Sequence, residues 1–262
     1  MWLRILTALM LGPVFIGLTL WLSNLWFAVL IAGIILVGFF EWYRLSGANW
    51  AVGCIAAAMM FGLMILSYQF HFLYLMCAVA TIFWVFAVYD LKVKGVSHSL
   101  SDVSFLLSSV LVLTGAWAAI VLLHQLMPSG PLLCIGFIVG IWAADSAAYF
   151  VGRAFGQHKL APAISPGKTI EGVIGGVFGS MLIGWVFCYF FTHFSVMQII
   201  LWVSILGCAA LMSVAGDLYE SRLKRLAGAK DSGQLLPGHG GMLDRIDGLL
   251  AGAPVFVTLF LL

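Results

Sequence analysis

Met197–Leu218 reads MQIILWVSILGCAALMSVAGDL, 22 residues with a single charge, Asp217, at the penultimate position. A hydrocarbon layer about 30 Å thick takes roughly 20 residues of helix to cross. The other backbone that can cross lipid is a closed barrel, whose strands alternate apolar and polar residues. This run does not alternate, so it is read as a transmembrane helix. Eight further runs read the same way: Leu3 to Leu22, Leu25 to Tyr43, Ala51 to Ser67, Phe70 to Tyr89, Phe105 to Leu126, Leu132 to Val151, Ile170 to Phe191 and Gly248 to Leu262. The chain is 63% hydrophobic and 8% charged over 262 residues, where a soluble domain carries about 25% charge. The expected fold class is therefore all-α, a polytopic integral membrane protein of about nine transmembrane helices.

The eighth run empties into Ser221–Asp247, SRLKRLAGAKDSGQLLPGHGGMLDRID, which holds five of the twelve Lys and Arg and three of the ten acids. Charge this scarce elsewhere gathers here for a reason. Phosphates together with a divalent cation would supply one, because cations grip phosphate oxygens and carboxylates hold the metal. A solvated loop between two membrane helices would need no particular spacing.

The basic residues also test the helix count, since Lys and Arg collect on the cytoplasmic side of membrane proteins. Arg4 stands at the start of the first run, Arg44 follows the second, Lys92 and Lys94 the fourth, Arg153, Lys159 and Lys168 the sixth, and the other five the eighth. The connections after the odd-numbered runs hold none. This parity places the N-terminus in the cytoplasm, the C-terminus outside and the charge cluster on the cytoplasmic face. The formal net charge of +2 is too small to argue for nucleic acid. The five cysteines lie one at a time in apolar runs, without metal-ligand spacing. Residues 3–22 have no small-x-small cleavage site after them and are read as a retained helix.

The polar stretch resembles a known family. Ser221, Lys224, Arg225, Lys230, Asp231, Pro237, His239, Gly240, Gly241, Asp244, Arg245 and Asp247 match, in order and spacing, the signature of the phosphatidate cytidylyltransferases, or CDP-diacylglycerol synthases. The resemblance implies CTP and phosphatidate as substrates, an integral position in the cell's inner or plasma membrane, and a homodimer. It also implies Asp217 and Asp244 as leading ligands of Mg²⁺, with Asp231 and Asp247 as further candidates and room for a second metal ion. Lys224, Arg225, Lys230 and Arg245 would neutralise phosphate oxygens, and His239, Gly240 and Gly241 would line the nucleotide, with Ser221 beside them.

A second segment of the resemblance is WAADSAAYFVGRAFGQHKLAPAISPGKTIEG, which carries Asp145, Tyr149, Gly152, Arg153 and the run from Ser165 to Gly172. Asp145 lies in an apolar helix, where a carboxylate is costly and should face the bundle interior with a partner or border a site. Gly167-Lys168-Thr169 fits the end of a Walker loop, but Pro162 occupies the place of its first glycine and no strand precedes it. Ser165, Lys168, Thr169 and Glu171 remain phosphate-binding candidates just before the seventh run, whose N-terminus favours anions. Gly172, Gly175, Gly176 and Gly179 suit close helix packing, within the chain or in a dimer. His71, His124 and His193, and Trp21, Trp26, Trp42, Tyr43, Trp50, Tyr68 and Tyr89, are read as interfacial residues. Residues 1–130 thus read as scaffold and lipid-facing surface, and residues 131–262 as the half that carries the catalytic loops.

The nucleophile in such a reaction is a lipid phosphate, already an anion at neutral pH. No Ser, Cys or His has to be activated, and the site has instead to overcome repulsion between two polyanions. A CTP-dependent polyprenol or lipid kinase would need a base for a neutral hydroxyl. A transporter of phosphorylated solutes would place polar residues near mid-membrane in paired halves, whereas here they crowd one side.

Overall fold

The computed structural model describes residues 2–94, 102–126, 129–235 and 240–262. Among these are nine helices: α1 Trp2–Trp21, α2 Asn24–Ser46, α3 Trp50–Gln69, α4 Leu73–Lys94, α5 Asp102–Gln125, α6 Gly130–Phe155, α7 Ile170–Phe191, α8 Val196–Leu226 and α9 Leu243–Phe260. Seven of them, α2 to α8, are long and apolar enough to cross a membrane. The protein is a polytopic all-α membrane protein. One departure from helix lies between α6 and α7, where β1 (Lys159–Ala161) and β2 (Ser165–Thr169) form a short antiparallel hairpin.

Local chemistry sets the helix ends. Asn49 accepts a bond from the Val52 N–H at 3.0 Å and starts α3, while Ser195 and Gln198 form a reciprocal capping box at the start of α8. Gly47, at φ 67°, ends α2 in the left-handed region that glycine enters without strain.

The core runs through α5 and α9. Val112, Leu113, Ala118, Ala119 and Val121 of α5 are buried, as are Leu250, Ala251, Ala253, Phe256 and Val257 of α9. Helix α9 packs on α4 and α5 as well as on α8, so the N-terminal and C-terminal halves share one interior. The Trp84 indole donates to the Leu250 carbonyl at 2.8 Å across that contact.

Helix α7 presents large side chains such as Phe178 and Leu182 outward. Its glycine face is covered by α6: a Cβ on Gly176 would press on the Ala144 carbonyl and the Ala148 methyl, and one on Gly179 on Ala147. The stripe therefore serves packing inside the chain. The five cysteines are free thiols.

Two residue readings change. His124 is buried, stacked on Phe27 at 4.0 Å. Its Nε2 faces the Thr19 carbonyl and its Nδ1 the Asn24 amide, so it belongs to an internal polar network rather than to the interface. Trp42 is fully buried against Phe105 and Tyr219, whereas Trp21, Trp26, Trp50 and Tyr89 are exposed as an interfacial role requires.

Candidate active site at the ends of α8 and α9

Helix α8 runs for 31 residues, about 46 Å at roughly 1.5 Å per residue, and so outlasts the apolar run that ends at Leu218. The extra turns are written in Arg, Leu and Lys, which are good helix formers. Asp217, Glu220, Ser221 and Lys224 then fall three and four residues apart on one face. The Ser221 hydroxyl donates to Asp217 Oδ1 at 3.2 Å.

Helix α9 starts at Leu243, earlier than the apolar run beginning at Gly248, and brings Asp244 and Asp247 onto its first turns. Spacing alone would let this pair work together, but they point to different partners. Asp247 joins Asp217 and Glu220, with one carboxylate oxygen from each residue lying within 4.8 Å of the others. Asp244 instead takes Lys224 Nζ on Oδ1 at 2.6 Å and, on Oδ2, the N–H of Gly241 at 2.8 Å and both the N–H and hydroxyl of Ser232 at 3.0 Å.

Electrostatics separate the two carboxylate groups. Burial alone would raise the Asp244 carboxyl, but the Lys224 hydrogen bond and the donors from Gly241 and Ser232 outweigh it and hold it below its ordinary value. Glu220 is 1% exposed, and its Oε1 has no hydrogen-bond partner. Lys224 Nζ forms an ion pair with Glu220 Oε2 at 2.5 Å. Buried polar atoms are otherwise nearly always satisfied. Three convergent carboxylates are an all-oxygen donor set that fits a hard divalent cation.

The α6–α7 segment supplies the neighbouring charge. Lys168, in β2, reaches Asp217 Oδ2 at 2.6 Å. Asp145 of α6 is exposed and lies within electrostatic range of Asp217, Lys168 and Arg245. Thr169 is buried and caps α7 by accepting the Gly172 N–H at 3.1 Å. Glu171 takes His158 Nδ1 at 2.5 Å and the N–H groups of Gln157 and His158 at 3.2 Å, fastening the hairpin to α7. Both are engaged in holding the hairpin, while Ser165 is half-buried in β2.

Of the remaining candidates, Arg225, Lys230, Asp231 and Arg245 are exposed, and Asp231 lies outside the three-carboxylate cluster. Gly240 adopts φ 80° with no room for a Cβ beside Asp244, and the Gly241 N–H is taken by that same carboxylate. His239 lies outside the described residues. Glu220 is the member of the cluster that sequence reasoning did not single out. Its signal was present, since i+3 from Asp217 and i−4 from Lys224 share a helical face once α8 is extended past Leu218.

Convergent carboxylates ringed by Lys168, Lys224 and Arg245 at one end of a helical membrane bundle define a membrane enzyme built for phosphate chemistry. The chain belongs to the cytidylyltransferase family, whose model matches residues 2–262. It is 39% identical over 263 residues to the phosphatidate cytidylyltransferase of Pseudomonas aeruginosa, covering 98% of this chain and 95% of that protein. The phosphatidate cytidylyltransferase of Haemophilus influenzae is 48% identical over 129 residues, 48% of this chain and 45% of its own length. That of Thermotoga maritima is 44% identical over 132 residues, 47% of each chain.

Proposed function

We propose that this protein transfers the cytidylyl group of CTP to phosphatidate, giving CDP-diacylglycerol and pyrophosphate, on the cytoplasmic face of the cell's inner or plasma membrane. A phosphate oxygen of the lipid attacks the α-phosphorus of CTP, the bond from that phosphorus to the β-phosphate oxygen breaks, and pyrophosphate departs with the electron pair. Family membership and the likeness to three bacterial phosphatidate cytidylyltransferases support the substrate pair. The observation that carries the reading is the convergence of the Asp217, Glu220 and Asp247 carboxylates, one oxygen of each within 4.8 Å of the others, with Glu220 buried.

Asp217, Glu220 and Asp247 are the residues that would hold Mg²⁺. When bound, Mg²⁺ supplies positive charge to the triphosphate oxygens and the departing pyrophosphate. Asp244, with Lys224, Ser232 and Gly241 already on it, acts as a structural carboxylate that keeps Lys224 in place. Lys168 and Lys224 stand on either side of the cluster and lower the repulsion between the two anionic substrates. Arg225, Lys230 and Arg245, exposed in the last turn of α8, the segment after it and the first turn of α9, would attract them. The clustering of basic residues at alternate connections supports the cytoplasmic orientation. A homodimer would use the outward apolar face of α7, because its glycine face is already covered by α6.

Purified protein in detergent, given α-labelled CTP, phosphatidate and Mg²⁺, moves label into the lipid phase. A chelator abolishes the transfer. Glu220→Gln lowers it by at least the roughly 10–100-fold that loss of an outer partner of a metal site costs. Label entering lipid only from γ-labelled CTP would replace this reading with a lipid kinase.

A further inference from the structure

Glu41 lies in α2, in the half of the chain without a motif, yet it is 5% exposed and bonded entirely to the active-site segment. Its Oε1 accepts the Met242 N–H at 2.9 Å, and its Oε2 accepts the Leu243 N–H at 2.8 Å and the Ser232 hydroxyl at 2.8 Å. Gly233 and Gly241 close on the same carboxylate, with no space for a Cβ at either.

The first N–H groups of a helix have no partner within it and need an acceptor from elsewhere. Met242, at the N-cap of α9, offers no side-chain cap. Glu41 fills that role from a helix about 200 residues earlier, and its negative charge suits the helix N-terminus. The Ser232 hydroxyl also lies 3.0 Å from Asp244 Oδ2. With a single hydrogen to donate, that hydroxyl serves one carboxylate at a time and ties the positions of the two together. From Asp244 the contacts continue to Lys224 and then to Glu220.

We propose that Glu41 is a positioning residue of the active site, capping α9 from outside and, through Ser232 and Asp244, fixing Lys224 beside Glu220. Its kinetic consequence rests on the cytidylyl-transfer reading; its capping role does not.

The test compares wild type with Glu41→Gln, Ser232→Ala and Ile35→Ala, the last a buried α2 residue away from these contacts. Hydrogen exchange is followed in peptides spanning residues 240–245, and kcat and KM are measured for CTP and phosphatidate. Glu41→Gln is expected to speed exchange at Met242 and Leu243 about tenfold or more, the scale of a lost charged hydrogen bond. It lowers kcat by roughly 10–100-fold and leaves the phosphatidate KM within about threefold. Ser232→Ala lowers kcat less and leaves exchange at those two amides unchanged, and it decides the positioning role should Glu41→Gln fail to fold. Wild-type exchange in Glu41→Gln would overturn the cap. Faster exchange with wild-type kcat would overturn the positioning role, as would an equal fall in kcat for Ile35→Ala at matched thermal stability. A wild-type enzyme that transfers no label would sink the cytidylyl reading while the exchange measurement still decided the cap.

Discussion

Lys224 serves two carboxylates at once, Glu220 and Asp244, at 2.5 and 2.6 Å. With the ammonium and both acids largely buried, neither acid could lose it without leaving an uncompensated charge. The group whose titration can be followed is Asp244, because it is held below its ordinary carboxyl value. Its folded value lies below the unfolded one of about 3.9, so the ionised form stabilises the fold. That contribution is complete above the unfolded value and drains away as pH falls through the lower folded value. Thermal stability in detergent is therefore expected to fall more steeply for wild type than for Asp244→Asn as pH drops from 6 to 3. Parallel curves for the two proteins would remove Asp244 from the acid transition.

At the level of single elements, α6 and α7 lie against each other through glycine and alanine, with Gly176 in contact with the Ala144 carbonyl and the Ala148 methyl. Lipid supplies little hydrophobic drive between helices, so close backbone approach is what holds such a pair. Gly176→Val is expected to destabilise by about 1–3 kcal/mol, the usual cost of overpacking. Gly62→Ala, with nothing within 4 Å of the added methyl, should be neutral or slightly stabilising. Differential scanning fluorimetry of the two variants compares them directly. The apolar runs locate each helix among the described residues, and α7 with both of its bounds. Apolarity fails where a helix leaves lipid: the last eight residues of α8, and the first turns of α9, are helical through propensity and ion pairing, which a hydropathy reading does not detect. The place of Glu220 beside Asp217 and Asp247, and of Asp244 on Lys224, follows from that extra helix and is not legible from hydropathy. Glu41 was legible only as a charge near a loop, since its three partners lie some 190–200 positions away and no local pattern announces them.

Over the whole molecule, helix α9 is common ground: its buried stretch locks to α4 and α5, and its first turn is capped from α2. The half of the chain without motifs thus sets where the carboxylates stand. The length of α8 also fixes the height of the site. Asp217 lies 21 residues beyond Val196, about 32 Å along the axis, close to the thickness of a hydrocarbon layer of about 30 Å. For an α8 that enters the layer at Val196 and crosses it upright, the carboxylates stand at the depth where a bilayer keeps its own phosphates, and a lipid substrate would meet them by sliding sideways without leaving the film. Encounter becomes a search in two dimensions, governed by how crowded the film is with substrate. Adding inert detergent or neutral lipid at constant bulk phosphatidate should slow the reaction in proportion to the substrate's falling mole fraction, whereas a rate that follows bulk concentration alone would mean that the lipid arrives through water.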